Sequence, residues 1–242
     1  MIPSLTSPER APFRFPWAQL ALFVLTACFL SGCASMGGGG GGGTYHVNAY
    51  APTDPSKVAV YVSLRTKIVY VMEGNRALLV TPLSIGTSQY PTPTGHFTVE
   101  AKDPTKRSGE YGFWVNGSDI YEGSSSAGRS GYHYVGYPMA NWVQFSPGYG
   151  FHEGYVWPIP RSHGCLRIHK NASVKFYKLV NIGTPVTIAD SLPYDDTIGR
   201  NIEHPTDYQD PDPASSFMVS SDYFSQPRDS DLLPAGTAPV AP

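Results

Sequence analysis

His152 is followed, within one hairpin's length, by Ser162, His163, Gly164, Cys165 and Arg167. A cysteine attacks carbonyl carbon as the thiolate, and its ordinary pKa of about 8.5 leaves little thiolate at neutral pH. A nearby imidazole lowers that pKa and later protonates the leaving amine. Gly164 permits a tight bend directly before Cys165. The backbone N–H groups of Gly164 and Cys165 are thereby candidates for an oxyanion site, where one good donor contributes roughly 3–4 kcal/mol. Nine residues separate His152 from Ser162. Folded around Gly154 and Trp157-Pro158, they return Cys165 to the side of His152. Ser162 reads as a hydrogen-bonder in the turn rather than as a second nucleophile.

Zinc offers a competing use for His152, His163 and Cys165. No carboxylate stands at motif spacing beside them, so the nucleophile reading is preferred, and no metal or cofactor is expected. His96, His133 and His169 sit singly on expected strands or loops and read as non-catalytic. His46 and His204 fall in flanking segments.

The cysteine count strengthens the thiol argument. The chain has three cysteines, Cys28, Cys33 and Cys165. Arg10 and Arg14 precede an apolar run from Trp17 to Leu30. That run is shorter than the ~20 residues that span a bilayer, and with its basic flank it reads as a secretory signal. It ends Leu30-Ser31-Gly32-Cys33, which resembles the bacterial lipobox, whose cysteine carries diacylglycerol and begins the mature chain. Cys28 is then discarded and Cys33 lipidated. Cys165 remains as a thiol without a disulfide partner in an exported protein, where unpaired cysteines are unusual. The expected location is the cell envelope, on a lipid anchor facing the periplasm and wall.

Residues 33–55 include seven consecutive glycines, 37–43, and read as a flexible tether. Between 33 and 190 there are thirteen Lys/Arg against nine Asp/Glu; from 191 onward there are two against nine. The body is mildly basic and the tail acidic. No basic run is long enough to suggest nucleic acid. The acidic, Pro/Ser-rich tail 191–242 is expected to be mostly disordered, above all from 203 onward.

The elements that must position the thiol lie in 56–190. Lys57–Ser63, Ile68–Met72 and Ala77–Ile85 read as three strands joined by turns at Arg65-Thr66 and Gly74-Asn75. Pro91–Gly95 breaks the chain before a strand at His96–Ala101. Lys102–Tyr137 is rich in Gly, Ser and Tyr without clean periodicity and reads as a long functional loop or lid. Asn141–Phe145 is a further strand. Asn171 is the expected cap of a helix from Ala172 to about Val180, with Ala172, Phe176 and Val180 on one face and Gly183 as the stop. Pro185–Ile188 forms a last strand. The fold class is mostly β with minor helix.

These residues resemble the L,D-transpeptidase catalytic domain, also called the YkuD domain. Its mark is a strand histidine, a short connection, then Ser/Thr-His-Gly-Cys, an aliphatic residue and arginine, here His152 and Ser162-His163-Gly164-Cys165-Leu166-Arg167. Val60–Tyr70 resembles the opening hairpin, PTPTGHF at 91–97 the "TPTG-aromatic" segment, and Asn171–Ile188 the closing helix and strand. His152-Glu153-Gly154-Tyr155 is similar to a subgroup with a short connection. Asn141-Trp142 and Glu153 depart from the family's usual residues.

The resemblance implies a β-sandwich or barrel-like domain over about 56–190 with a capping loop, and no cofactor. It implies Cys165 as nucleophile, His152 as base and then acid, and His163 as a residue that shapes the site. Ser162, Arg167 and Tyr155 are its candidate substrate contacts. The implied substrate is a peptidoglycan stem peptide, attacked at the L-centre of its third residue with release of D-alanine. An amine acceptor gives a 3-3 cross-link and water gives carboxypeptidation. A hydrolase on the same bond and a non-catalytic wall-binding lipoprotein are the other readings, and carbapenems are expected to acylate Cys165.

Overall fold

A computed structural model describes residues 45–241. The signal segment, Cys33 and the glycine run lie outside the described residues. Alternating apolar stretches build the centre of a nine-stranded sheet. β1 (Val58–Ser63) and β2 (Ile68–Glu73) form an antiparallel hairpin, and β3 (Arg76–Ser84) continues it. Val58, Val60 and Val62 of β1 are buried, while Ala59 and Tyr61 between them are only half-buried. Every residue of β2 is buried, because both of its faces are covered. Val69 and Val71 join the main core with Leu79, Phe151, Leu166 and Phe176. Ile68, Tyr70 and Met72 pack on the other side with Leu192, Tyr194, Ile198 and Ile202. Each such side chain stabilises the fold by about 1.5–3 kcal/mol relative to exposure.

The expected strand at 96–101 is two short strands, β4 (Gly95–Thr98) and β5 (Ala101–Asp103), which leave to opposite edges of the sheet. The segment expected as a long loop is largely a second, three-stranded sheet of β6 (Arg107–Asn116), β7 (Asp119–Ser124) and β8 (His133–Pro138). Its pattern escapes a sequence reading because only Phe113 and Val115 of β6 face a core, packing with Ala140, Met218 and Tyr223. Ile120 of β7 and Val135 of β8 add partial contacts, and many of the remaining positions are Gly, Ser, Tyr or charged residues on a half-solvated ribbon.

β9 (Trp142–Ser146) turns into β10 (Tyr149–Glu153), and β11 (Leu166–Ile168) lies parallel to β10. α1 spans Lys170–Leu179, and β12 (Pro185–Ala189) pairs in parallel with β1. The order across the large sheet is β4-β12-β1-β2-β3-β11-β10-β9-β5. The cap of α1 is His169, not Asn171: the His169 imidazole Nδ1 accepts the Asn171 N–H at 3.1 Å. Asn171 is instead a buried first-turn residue whose amide donates to the Tyr45 carbonyl.

Both flanks differ from expectation. Residues 45–55 are packed rather than free: Ala49 is fully buried and the Tyr50 N–H donates to the Leu78 carbonyl at 2.9 Å. The segment 191–241 is likewise laid over the domain. Asp195 is buried and accepts from Ser63 at 2.8 Å, Tyr70 at 2.9 Å and Arg65 at 3.2 Å. A second helix, α2 (Ser215–Val219), is anchored by Arg107, which donates to the carbonyls of Met218, Val219 and Ser220. Lys175 pairs with Asp229 at 2.7 Å. The acidic composition therefore does not leave this tail in water, because cations of the body meet its carboxylates. Among the described residues no helix is long and apolar enough to cross a membrane.

Candidate active site

The register of β10 against β11 places the chemistry. Phe151 pairs with Leu166, and His152 with Arg167. Side chains alternate across a strand, so Phe151, Leu166 and Ile168 enter the core. Gly150, His152, Cys165 and Arg167 fall on the opposite face. There His152, Cys165 and Arg167 line a cleft of about 750 Å³, whose walls include Tyr111 of β6, Trp142 of β9, Tyr155, Arg161 and His163. Adjacent strands lie about 4.8 Å apart, which brings thiol and imidazole to one patch without any sequence adjacency.

His152 is buried, and its Nδ1 donates to the Glu153 carbonyl at 2.7 Å. That bond assigns the proton to Nδ1 and leaves Nε2 with a free lone pair. Burial, and next to it the Arg167 charge, pushes the imidazole down to about 3, against the opposing pull of the Glu153 carbonyl. The Trp142 ring lies 6.2 Å away, centroid to centroid. Cys165 is half-buried and free, and its thiol donates to the Gly148 carbonyl with sulfur 3.6 Å from oxygen. Burial raises its pKa, outweighing the backbone of Gly150 and the Arg167 charge that lower it. Burial thus disfavours the charged form of both groups, and desolvation opposes a resting thiolate–imidazolium pair.

The bend is held by its own hydrogen bonds. Gly164 has φ of +105°, and a Cβ there would stand 2.5 Å from the Tyr149 ring, so only glycine is tolerated. Ser162 is 1% exposed. Its hydroxyl accepts the Gly164 N–H at 3.1 Å and donates to the Cys165 carbonyl at 2.6 Å. Two expectations change here. Ser162 is spent inside the turn and is not a substrate contact, and the Gly164 N–H is occupied and is not an oxyanion donor. The Gly164 carbonyl accepts from Thr92 Oγ1 at 2.9 Å. A trans peptide points its N–H away from its C=O. The Cys165 N–H is therefore turned away from Thr92, and it has no acceptor among the described residues.

His163 stands at the rim rather than beside His152. Its exposed ring stacks on Tyr111 at 4.9 Å and against Tyr90 at 4.6 Å. It shapes the mouth of the cleft, and neither ring nitrogen bonds a described residue. Arg167 is half-buried and forms no ion pair with the described residues, leaving a cation facing the cleft beside Cys165. Tyr155 also lines the cleft, but its hydroxyl donates to the Pro211 carbonyl at 3.0 Å. Among the described residues, no three His, Cys, Asp or Glu side chains gather as a metal-ligand group.

Residues 57–188 match the model of the L,D-transpeptidase catalytic domain, YkuD. The chain belongs to this family. Solved structures similar to it include L,D-transpeptidases from Stackebrandtia nassauensis (20% identity, TM-score 0.43, 60% of each chain covered) and Mycobacterium smegmatis (20%, 0.42, 55% of this chain and 58% of that one). A third is from Mycobacterium tuberculosis H37Rv (20%, TM-score 0.39, covering 55% and 57%). The chain thus spans about 60% or less of the length of these structures. A comparison with curated proteins found no match.

Several parts of this L,D-transpeptidase domain's site were not read from the sequence as site residues. Thr92 is one, although it stands in the TPTG-like segment. It is 6% exposed, accepts the Gly86 N–H at 3.0 Å and clamps the Gly164 carbonyl. Gly86 is a second: a Cβ there would meet the Tyr90 carbonyl oxygen at 2.2 Å and Gly164 Cα at 2.9 Å. Thr92→Val keeps the shape and removes both hydrogen bonds. It is expected to destabilise the domain by about 1–3 kcal/mol, since a buried donor and acceptor are left unpaired. Denaturant titration checks this, and Cys165 acylation by a carbapenem should slow in the same variant.

Proposed function

We propose that this protein is a peptidoglycan L,D-transpeptidase acting through Cys165. The observation that carries the reading is the shared face of β10 and β11, with thiol, imidazole and unpaired Arg167 guanidinium opening into one cleft. The Cys165 sulfur attacks the carbonyl of the L-centre of a stem tetrapeptide's third residue while its proton passes to His152 Nε2. The oxyanion is held by the Cys165 N–H. Collapse breaks the amide bond, and the imidazolium returns the proton to the nitrogen of the departing D-alanine. An acceptor amine then attacks the thioester, gives up a proton through His152, and releases the sulfur with formation of a 3-3 cross-link. Arg167 receives a stem carboxylate, and the ring of His163, braced by two tyrosines, guides the peptide across the rim.

With Cys33 lipidated, the domain works from a membrane anchor in the envelope, facing the wall. The test is incubation of the purified chain with tetrapeptide muropeptides, followed by mass spectrometry. Cross-linked dimers are the expected products. Tripeptides alone would make the protein an L,D-carboxypeptidase, and unchanged substrate would leave the wall-binding reading.

A further inference from the structure

We propose that Arg228, carried by the C-terminal segment, and Glu153 form a positioning pair for His152. The inference rests on the reading of His152 as the base. Glu153 follows the base directly, and its main chain is what orients it. The Glu153 carbonyl accepts the imidazole Nδ1–H at 2.7 Å, and the Glu153 N–H donates to the Ala140 carbonyl at 2.9 Å. Its side chain falls on the opposite face of β10 from the imidazole, where the carboxylate is 5% exposed. A carboxylate so placed requires a partner.

The partner comes from 75 residues along the chain. Arg228 Nε donates to Glu153 Oε2 at 2.5 Å and Nη2 donates to Oε1 at 3.0 Å, a two-pronged fork. The guanidinium is itself held: Nη1 donates to the carbonyls of Phe224 and Gln226 at 3.1 and 2.9 Å, and Nη2 to that of Tyr223 at 3.1 Å. The Arg228 side chain is 8% exposed. Its geometry is thus set by the folded tail, and it transmits that setting through Glu153 to the carbonyl that orients the base. Met218, Tyr223 and Glu153 also line the cleft, so the tail supplies a wall of the site it supports. Arg228 lies well beyond the residues 57–188 that match the family.

Charge matters as well as geometry. As a closed ion pair, Glu153 and Arg228 present little net field to the imidazole. Without Arg228, a bare carboxylate sits one residue from His152 and stabilises the imidazolium. The other groups facing His152 are the Arg167 guanidinium of β11, the Cys165 thiol just before that strand and the Trp142 ring from β9. Ser173 of α1 and the Tyr223 hydroxyl of the tail lie on the Glu153 side.

The test follows the histidine side chains of the full ¹⁵N-labelled chain by NMR during a pH titration, beside turnover per folded molecule and thermal melting. In the unsubstituted protein, His152 is expected to stay neutral from pH ~8 down to pH ~5. Arg228→Met is expected to bring its protonation to higher pH by about one unit or more. kcat should fall roughly ten- to a hundred-fold with KM little changed, as a base displaced by a fraction of an ångström would give. Glu153→Gln/Arg228→Met removes both charges and should return the titration to that of the unsubstituted protein, while kcat stays low because the fork is lost. Arg228→Lys keeps the charge and loses the fork, so kcat falls while the titration stays. If Arg228→Met fails to fold, Arg228→Lys and the double variant carry the result.

Folded variants with unchanged titration and kcat, differing only in melting temperature, would make the pair merely structural and overturn the inference. The NMR arm needs no substrate. Loss of all turnover in the unsubstituted protein alongside the expected titration shifts would count against the function and leave the positioning intact.

Discussion

Replacing Cys165 with alanine is expected to abolish both cross-linked dimers and tripeptides, and to remove the mass increment left by a carbapenem. The expected loss is on the order of 10⁶ in kcat, the scale seen when a covalent nucleophile is deleted. No other group is placed to take over. Ser162, the nearest hydroxyl in the chain, is 1% exposed and donates to the Cys165 carbonyl. The alanine side chain is smaller than the thiol and sits where the cleft is open, so the fold should be retained and the melting temperature little changed. Mass spectrometry of products and of the intact protein checks both halves. Acylation at another residue, or turnover surviving in the alanine variant, would remove Cys165 from the chemistry.

Iodoacetamide alkylation of Cys165 is expected to accelerate with pH through and beyond the ordinary thiol range near 8.5, with no plateau at neutral pH. The sign follows from burial. Desolvation raises the thiol and brings the imidazole down to about 3, so over the pH range between the two both groups are neutral. A resting thiolate–imidazolium pair would instead react at a constant rate from acid pH upward. Turnover should behave differently from alkylation. His152 is a competent base wherever it is unprotonated, so the acid limb of kcat/KM should lie far below the ordinary histidine range of about 6.5. His152→Ala should therefore cost roughly 10²–10⁴ in turnover, the usual contribution of a general base. Alkylation at high pH, which needs no base, should be nearly unaffected. An alkylation plateau at neutral pH would refute the neutral-pair assignment.

Local patterns made much of the domain legible. β1 to β3 announce themselves because each turn is short and their apolar residues are dense. The helix was readable from Ala172 and Phe176, but its cap was not, since histidine is a rare capping residue and Asn171 a common one. The ribbon of β6 to β8 was read as a loop because its core contacts are thinly spread, Phe113 and Val115 on β6, Ile120 on β7 and Val135 on β8, too few on any strand to establish alternation. The tail was read as free because its acid excess is a property of composition, whereas its order comes from single encounters. Asp195 meets Ser63, Tyr70 and Arg65, Asp229 meets Lys175, and Arg228 meets Glu153.

Taken by itself, the amino-acid sequence pointed to the kind of chemistry: a cysteine directly after glycine, a histidine one hairpin away, and an arginine two residues on. Those facts are local, since residue type and spacing suffice to state them. Only the tertiary structure decided which backbone N–H stays unbonded, since Ser162 takes that of Gly164. It also decided that burial works against the charged forms of both thiol and imidazole, and that a tail rich in carboxylates closes one wall of the cleft. Each of these depends on what burial removes from water and on which distant group replaces the water. Spacing along the chain carries no record of either.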